Sequence, residues 1–280
     1  MPPDLTKRSP EEIKTLKPFL DEWVEKVEQP DYIEDDPILF MHAFNQKEDQ
    51  LLAGFFAATM AWGRRDIVIR KVRDFLDRMD NCPTDFITHF EDDEANRFKG
   101  FKHRTFKPID MKWLVKILQT ILHKYESFEK FWAHCYQQAK ANDRPLMSVF
   151  HEQFFAQHPE APQRTRKHVS NADKKSSCKR QYLFLRWALR NNSSVDLGLM
   201  DFMPQSELMI PLDVHVARQA RALGLLSRTY NDWWAVQELT EALRLLDPQD
   251  PAKYDYALFG LGVNQDEIPE KFIKNPVVLD

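Results

Sequence analysis

Apolar side chains recur along most of the chain at the three-to-four-residue spacing of an amphipathic helix, and the strict alternation of a β-strand is nearly absent. In the segment that begins at Asp66, for example, Val68, Val72 and Phe75 lie on one predicted helical face. Only 7 glycines occur among 280 residues, too few for the many tight turns of a β-rich protein. The pattern therefore predicts an all-α fold.

Boundaries of the predicted helices come from the same periodicity together with capping residues. The predicted helices span about 10–27, 37–44, 47–60, 66 onward, 83–90, 111–124, 128–141, 145–157, 177–191, 214–223, 231–246 and 251–261. Ser9 with Glu12 has the spacing of a capping box, and Asp110 and Asp213 occupy N-cap positions. Ser176 or Ser177 is the predicted cap of the helix that starts near 177.

Composition excludes several classes of protein. No run of about 18 apolar residues occurs, so we expect no transmembrane helix. The first residues lack the apolar core of a signal peptide, which favours a cytoplasmic location. The 3 cysteines are widely spaced and form no Cys-x-x-Cys, so neither a disulfide framework nor a cysteine-bound metal cluster is expected.

Charge is distributed unevenly along a chain whose net charge is only −4. Residues 164–190 contain a single acid, Asp173, and a concentration of positive charge of the kind that attracts a phosphate backbone. The alternative is a solvated basic face, or a segment that pairs with the acidic loops near 30–36 and 91–94. The basic residues are Arg164, Arg166, Lys167, Lys174, Lys175, Lys179, Arg180, Arg186 and Arg190.

Two of the polar residues have positions suited to chemistry. Asp213 follows the stiffening Pro211 and caps a helix, whose dipole stabilises and orients a carboxylate. Lys179 begins a helix with an otherwise apolar face, and an amine held in such a wall can act as a nucleophile. Each also has a structural interpretation: Asp213 as a simple cap, Lys179 as a surface lysine. His215, inside the helix, is interpreted as structural.

Residues 210–225, which begin IPLDVHVAR, resemble a signature of the helix-hairpin-helix (HhH-GPD) superfamily of DNA glycosylases. In endonuclease III and its relatives the matching stretch reads Val-Asp-Thr-His-(Ile/Val)-x-Arg, and the catalytic aspartate of that family falls on Asp213. Residues 51–66 resemble the helix and turn Leu-Leu-x-x-Leu-Ser-x-Gln-(Thr/Ala)-x-Asp, which approaches DNA in that family. Residues 256–260 resemble a late helix that ends in glycine. The three matches occur in the family's order.

The spacing between Lys179 and Asp213 is similar to that of the archaeal 8-oxoguanine glycosylases, whose catalytic lysine falls on Lys179. Arg180 is the competing alignment, and it could not form a Schiff base. Residues 176–187 also resemble a segment, Ser-x-Cys-Lys-Arg-x-x-x-Phe-Leu-Arg-Trp, of an uncharacterised bacterial family. Three features depart from the glycosylase pattern. The hairpin Leu-Pro-Gly-(Val/Ile)-Gly is absent, residues 51–66 lack the glutamine, and the separation of 34 residues between Lys179 and Asp213 is longer than is usual in the bifunctional members.

The resemblance implies a DNA base-excision glycosylase, with β-lyase activity where the lysine forms a Schiff base. It implies two helical lobes around a central cleft in residues 47–265, preceded by a helical extension (1–46) and followed by a tail (266–280). We expect a monomer that binds DNA, or RNA, and uses no cofactor or metal. Two other functions remain open, a non-catalytic nucleic-acid-binding module of the same fold and a helical protein-interaction domain.

The resemblance also assigns roles to residues. Lys179 and Asp213 are the implied catalytic pair. The residues expected to contact nucleic-acid phosphates are Arg64, Arg65, Lys174, Lys175, Arg180 and Arg186. The residues expected to stack on a base are Trp62 and Trp187, with Phe101 and Phe106 as further candidates that also suit a hydrophobic core.

Overall fold

A computed structural model describes residues 5–263 and 268–276. Across these two ranges the regular structure consists of α-helices and short 3-10 helices, and β-type pairing is limited to two isolated bridges. The predicted all-α fold is therefore confirmed. None of the helices in these ranges combines the length and the apolar character needed to cross a membrane.

The α-helices are numbered here in chain order. The first seven are α1 (Pro10–Lys14), α2 (Lys17–Val27), α3 (Leu39–His42), α4 (Lys47–Met60), α5 (Arg65–Asp77), α6 (Pro83–Thr88) and α7 (Pro108–Tyr125). The others are α8 (Phe128–Ala141), α9 (Leu146–Ala156), α10 (Gln163–Arg166), α11 (Lys179–Leu189), α12 (Val214–Ala222), α13 (Trp233–Arg244) and α14 (Tyr254–Val263).

The predicted helix at 10–27 is in fact two helices. Its start is confirmed, because Ser9 and Glu12 form the reciprocal capping box. The helix is interrupted after α1, and Pro18 becomes the second residue of α2. Proline has no N–H to donate, and its ring clashes with the carbonyl four residues earlier, so it is tolerated in a first turn but not in a continuous helix.

Two further helix starts differ from the prediction. Helix α7 begins at Pro108 rather than 111, and Asp110 lies in its first turn, where Oδ2 accepts the N–H of Lys107 at 2.9 Å. Helix α11 begins at Lys179, and its N-cap is Cys178 instead of a serine. Cys178 adopts a left-handed conformation with φ of 52°, which turns the chain sharply into the helix.

Buried apolar side chains form two clusters. The larger one is built from α3 to α11 and contains α4, whose last ten residues, 51–60, are all buried. Helix α11 packs on α4. The smaller cluster joins α1 and α2 to α12, α13 and α14. Helices α1 and α2 of the predicted N-terminal extension 1–46 thus share a core with the C-terminal helices, whereas α3 belongs to the larger cluster. The tail adds Phe272 to the smaller cluster, stacked on Phe19 at 4.5 Å.

The cleft between two lobes remains a prediction. The last residues of the predicted domain 47–265 and both ends of the predicted tail 266–280 lie outside the described residues, at 264–267 and 277–280. Helices from both clusters meet in the polar region described next, since α11 belongs to the larger cluster and α12 to the smaller one.

Candidate functional site

Lys179 and Asp213 form an ion pair although they are 34 positions apart in the sequence. The Nζ atom of Lys179 lies 3.2 Å from Oδ2 of Asp213. The lysine side chain is 32% exposed and the aspartate side chain 11% exposed, so solvent reaches the pair from one side. The two residues predicted to be catalytic are therefore neighbours at the starts of α11 and α12.

The start of α12 fixes the orientation of Asp213. Its Oδ1 accepts the backbone N–H of His215 at 2.8 Å and that of Val216 at 2.9 Å, which confirms the predicted N-cap. The positive end of the helix dipole stabilises the negative charge of the carboxylate. Because Oδ1 is held by the helix, Oδ2 is the oxygen that faces Lys179.

Short contacts between the segments that precede the two helices bring Lys179 to Asp213. Ser176 Oγ accepts the backbone N–H of Cys178 at 3.2 Å. Ser177 Oγ donates to the carbonyl of Leu212 at 3.4 Å, one residue before Asp213. The serines therefore order the approach to α11 rather than capping it.

A buried carboxyl group, Asp255 of α14, lies close to this pair. Burial raises the pKa of Asp255 to about 7, and the charge of Asp213 also raises it, whereas Arg186 and Lys179 lower it. Asp255 accepts a hydrogen bond from Nη1 of Arg186. Sequence reasoning missed Asp255. The available signal was an acid in the first turn of a helix that is otherwise strongly apolar.

Arg186 and Trp187 do not have the roles predicted for them. Arg186 is 1% exposed and is enclosed by Asp255, Asp196 and the ring of Tyr256, so it does not reach a nucleic acid. Trp187 is fully buried in the larger cluster. Both residues lie on faces of α11 that pack inside the protein. The sequence of α11 does not reveal which faces those are, because basic and apolar residues occur on several sides of the helix. Phe101 and Phe106 are also buried, which agrees with their core interpretation.

The turn after α4 carries the other predicted residues. Trp62 is 49% exposed, and the guanidinium of Arg104 lies 5.6 Å from its ring centre. Gly63 adopts φ of 108°, and the Arg64 side chain is 76% exposed and paired with Asp66. The exposed Trp62 and Arg64 are accessible to a partner.

Arg65 links this turn to the helices around Asp213. Its Nη2 donates to Tyr32 Oη at 2.9 Å and lies 3.5 Å from Asp36, and its guanidinium is 4.7 Å from the ring centre of Phe259. The ring of Phe259 in turn lies 6.1 Å from that of His215. The two segments that resemble glycosylase motifs, 51–66 and 210–225, therefore approach the same side chain of α14.

Of the remaining basic residues predicted to bind phosphates, two are exposed and one is hydrogen-bonded inside the protein. Lys174 and Lys175 are exposed, and no ion pair involves either within 5–263 and 268–276. Arg180 is half-buried and donates from Nη1 to the carbonyl of Thr59 at 2.5 Å. Burial lowers the pKa of Arg180 to about 10. Arg180 thus joins α11 to the end of α4, which leaves Lys179 as the residue that faces Asp213.

Histidine, cysteine and carboxylate side chains do not cluster as a metal site requires anywhere in the described part of the chain. Three surface cavities, of about 320, 710 and 520 Å³, are lined by residues of α4, α6, α8 and α9 and their connections, and neither Lys179 nor Asp213 lines any of the three. At the pair itself, Lys179 supplies an amine and Asp213 a carboxylate, each at the start of a helix.

Comparison with known proteins places the chain by family but not by activity. The profile of a family described as "Protein of unknown function (DUF2400)" matches residues 36–264. No curated protein matches the chain, and no solved structure does either. The matched range contains both members of the Lys179–Asp213 pair and the turn after α4.

Proposed function

The chain belongs to the DUF2400 family, and we propose that it is a DNA base-excision glycosylase with β-lyase activity, in which Lys179 is the nucleophile. The observation that carries the proposal is the 3.2 Å contact between Lys179 Nζ and Asp213 Oδ2 at a partly exposed position. An amine and a carboxylate in contact, with the carboxylate held by a helix start, are the two groups that cleavage of a glycosidic bond through an imine requires.

The chemistry would begin with a proton leaving the Lys179 ammonium, for which the adjacent Asp213 carboxylate is the nearest acceptor. The neutral amine then attacks C1′ of the nucleotide. The bond from C1′ to the base nitrogen breaks, and the electron pair leaves with the base, which takes up the proton that Asp213 received from Lys179, so that Asp213 is again a carboxylate. Asp213 stabilises the positive charge that develops on the sugar. Opening of the sugar ring gives an imine between Lys179 and C1′, and loss of a proton from C2′ expels the 3′ phosphate.

The target nucleotide must leave the base stack to reach Lys179, at a cost of a few kcal/mol. The exposed cations Arg64, Lys174 and Lys175 are suited to hold the flanking phosphates. Trp62, at the turn after α4, is suited to stack on a base. Arg65 and Arg180 would hold parts of the protein together rather than bind phosphates, since both already donate hydrogen bonds to protein groups. We further propose that the two clusters form lobes on either side of the bound DNA and that the protein acts as a monomer.

Base release and borohydride trapping test the proposal together. Oligonucleotide duplexes and single strands containing 8-oxoguanine, uracil or an abasic site are incubated with wild-type protein, and products are resolved with and without borohydride. Wild type is expected to release at least one base and to form a trapped complex. Lys179→Ala is expected to trap nothing, and the control Lys167→Ala, an exposed lysine outside the pair, to behave as wild type. No base release and no trapped complex across the panel would overturn the proposal.

A second candidate function is a nucleic-acid-binding module without catalysis. Two observations favour it: residues 180–212 contain no Leu-Pro-Gly-(Val/Ile)-Gly hairpin and only one glycine, Gly198, and Lys179 is already engaged in an ion pair with Asp213. This function predicts salt-sensitive DNA or RNA binding that survives Lys179→Ala and Asp213→Asn with no base release from wild type. Absence of binding to either nucleic acid at low salt would instead favour a protein-interaction domain.

A further inference from the structure

Two exposed aromatic side chains lie at the start of α13, near the Lys179–Asp213 pair. Tyr230 is 71% exposed and Trp234 is 46% exposed, which is unusual for rings of this size. The adjacent Trp233 points the other way and stacks on Tyr182 at 6.0 Å. The helix start is thus anchored by one tryptophan and presents another to solvent.

Cations surround these rings. The guanidinium of Arg228 lies 5.1 Å from the ring centre of Trp234 and 6.0 Å from that of Tyr230. The ammonium of Lys175 lies 5.4 Å from Trp234. Arg228 is held in place by two hydrogen bonds to Asp232, of 2.6 and 2.5 Å. Asp232 is also the N-cap of α13.

The charge of this surface is positive once its internal pairs are counted. Asp232 is paired with Arg228, and Glu238 lies 3.6 Å from the ammonium of Lys7. Asp173 is paired with Arg144. Lys175 and the adjacent Lys174 have no acidic partner among the residues that the structure describes.

The surface is connected to the Lys179–Asp213 pair by an ordered stretch of chain. The carbonyl of Lys175 accepts the N–H of Trp233 at 3.1 Å, and Ser176 forms an isolated bridge with Asp232. Lys179 lies four positions after Lys175 in the sequence, so their Cα atoms are at most about 14 Å apart. That span is comparable to about four nucleotides at about 3.4 Å each.

We propose that Tyr230 and Trp234, together with Lys175 and Arg228, form a stacking platform for unpaired bases of a DNA strand whose neighbouring nucleotide occupies the Lys179–Asp213 site. Exposed aromatic rings flanked by cations bind single strands because every base offers a face for stacking and every phosphate a charge. Binding of a single strand to the platform depends only on the two aromatic rings and the two cations. The position of the neighbouring nucleotide at Lys179 rests on the proposed function.

Fluorescence anisotropy with a labelled twelve-nucleotide oligothymidine tests the platform. The double variant Tyr230→Ala/Trp234→Ala is expected to bind this single strand at least tenfold more weakly than wild type. The double variant Tyr230→Phe/Trp234→Phe keeps aromatic rings and is expected to bind within about threefold of wild type. Trp113→Ala removes another tryptophan with a lysine over its ring, on α7, and is expected to change nothing.

Three comparisons make the test specific. A blunt duplex of the same length is expected to lose little affinity in the double alanine variant, because its bases are not available for stacking. The oligothymidine is expected to quench tryptophan fluorescence less in Trp234→Phe than in wild type. The matching oligouridine is expected to bind more weakly than the oligothymidine.

Equal affinity of wild type and the double alanine variant for the oligothymidine would overturn the platform. Equal losses for single strand and duplex would also overturn it, and tighter binding of the oligouridine would overturn the assignment to DNA. Ring-dependent binding without base release from wild type would leave the platform standing and remove the glycosylase activity.

Discussion

Arg186 donates a hydrogen bond to Asp255 inside the protein, where the two residues are 1% and 5% exposed. The same guanidinium lies 3.4 Å from Asp196 and 4.0 Å from the ring centre of Tyr256. This contact joins α11, which begins with Lys179, to α14, which carries Phe259. The candidate site is therefore built on two helices that are held together by buried charges.

Removing the cation of this network should destabilise the protein strongly. Arg186→Ala leaves Asp255 and Asp196 without a shared partner in a buried setting, and we expect the free energy of unfolding to fall by about 3–5 kcal/mol. Arg64→Ala removes a 76% exposed arginine and should change it by less than about 0.5 kcal/mol. Urea denaturation measures both. Similar small effects would show that Arg186 is not buried as described.

Asp255 should give the stability of the protein a characteristic pH dependence. Its folded-state pKa, raised mainly by burial to about 7, lies above the ordinary value of 3.8. The stabilising contribution of protonated Asp255 is therefore complete below about pH 4 and is lost as the pH rises through about 7. Asp255→Asn removes this titration, so between pH 5 and 8 its free energy of unfolding should fall less than that of wild type.

Chemical denaturation at several pH values measures this difference. One titrating group changes the slope by at most about 1.4 kcal/mol per pH unit. Asp35→Asn, at an exposed position, serves as the control and should follow wild type. Parallel curves for wild type and Asp255→Asn would contradict the described burial of Asp255.

Asp213 should separate stability from activity. An asparagine still accepts hydrogen bonds from the N–H groups of His215 and Val216. The free energy of unfolding of Asp213→Asn should therefore lie within about 0.5 kcal/mol of that of wild type. Asp213→Ala loses the cap, and its free energy of unfolding should be about 1 kcal/mol lower than that of wild type. Both lose the charge that faces Lys179, so both should lose base release. An active Asp213→Asn would show that the carboxylate acts only as a cap.

Gly63 should tolerate no side chain. Its φ of 108° disfavours any other residue, and an added Cβ would lie 1.9 Å from Nη2 of Arg104. We expect Gly63→Ala to lower the free energy of unfolding by about 1–3 kcal/mol. Adding Arg104→Ala should restore only part of this loss, because the backbone strain remains. Full stability of Gly63→Ala would contradict the described turn.

Much of the fold could be predicted because its causes are local. The capping box at Ser9 and the N-cap at Asp213 depend on residues three or fewer positions away, and both were predicted correctly. The start of α11 could not be predicted, because Cys178 adopts its left-handed conformation where residues 176–178 contact the chain before α12. Such contacts between distant segments have no signature in a local sequence pattern.

Only part of the candidate site could be predicted, because the site also depends on contacts between segments that are distant in the sequence. The meeting of Lys179 and Asp213 was predicted from a resemblance in spacing to the archaeal 8-oxoguanine glycosylases rather than from physics. The misplacement of Arg186 and Trp187 arose because a basic residue and a tryptophan in α11 suit either an exposed or a buried face. Asp255 was missed because its importance depends on Arg186, which lies 69 positions away.

The most direct test of the central claim is the identity of the amino acid that forms the imine. Protein trapped on lesion-containing DNA with borohydride is digested with trypsin and analysed by mass spectrometry. The account predicts a sugar adduct on Lys179 that is absent from Lys179→Ala and persists in Lys167→Ala. An adduct on another lysine or on the N-terminal amine, or no adduct with any lesion, would contradict it.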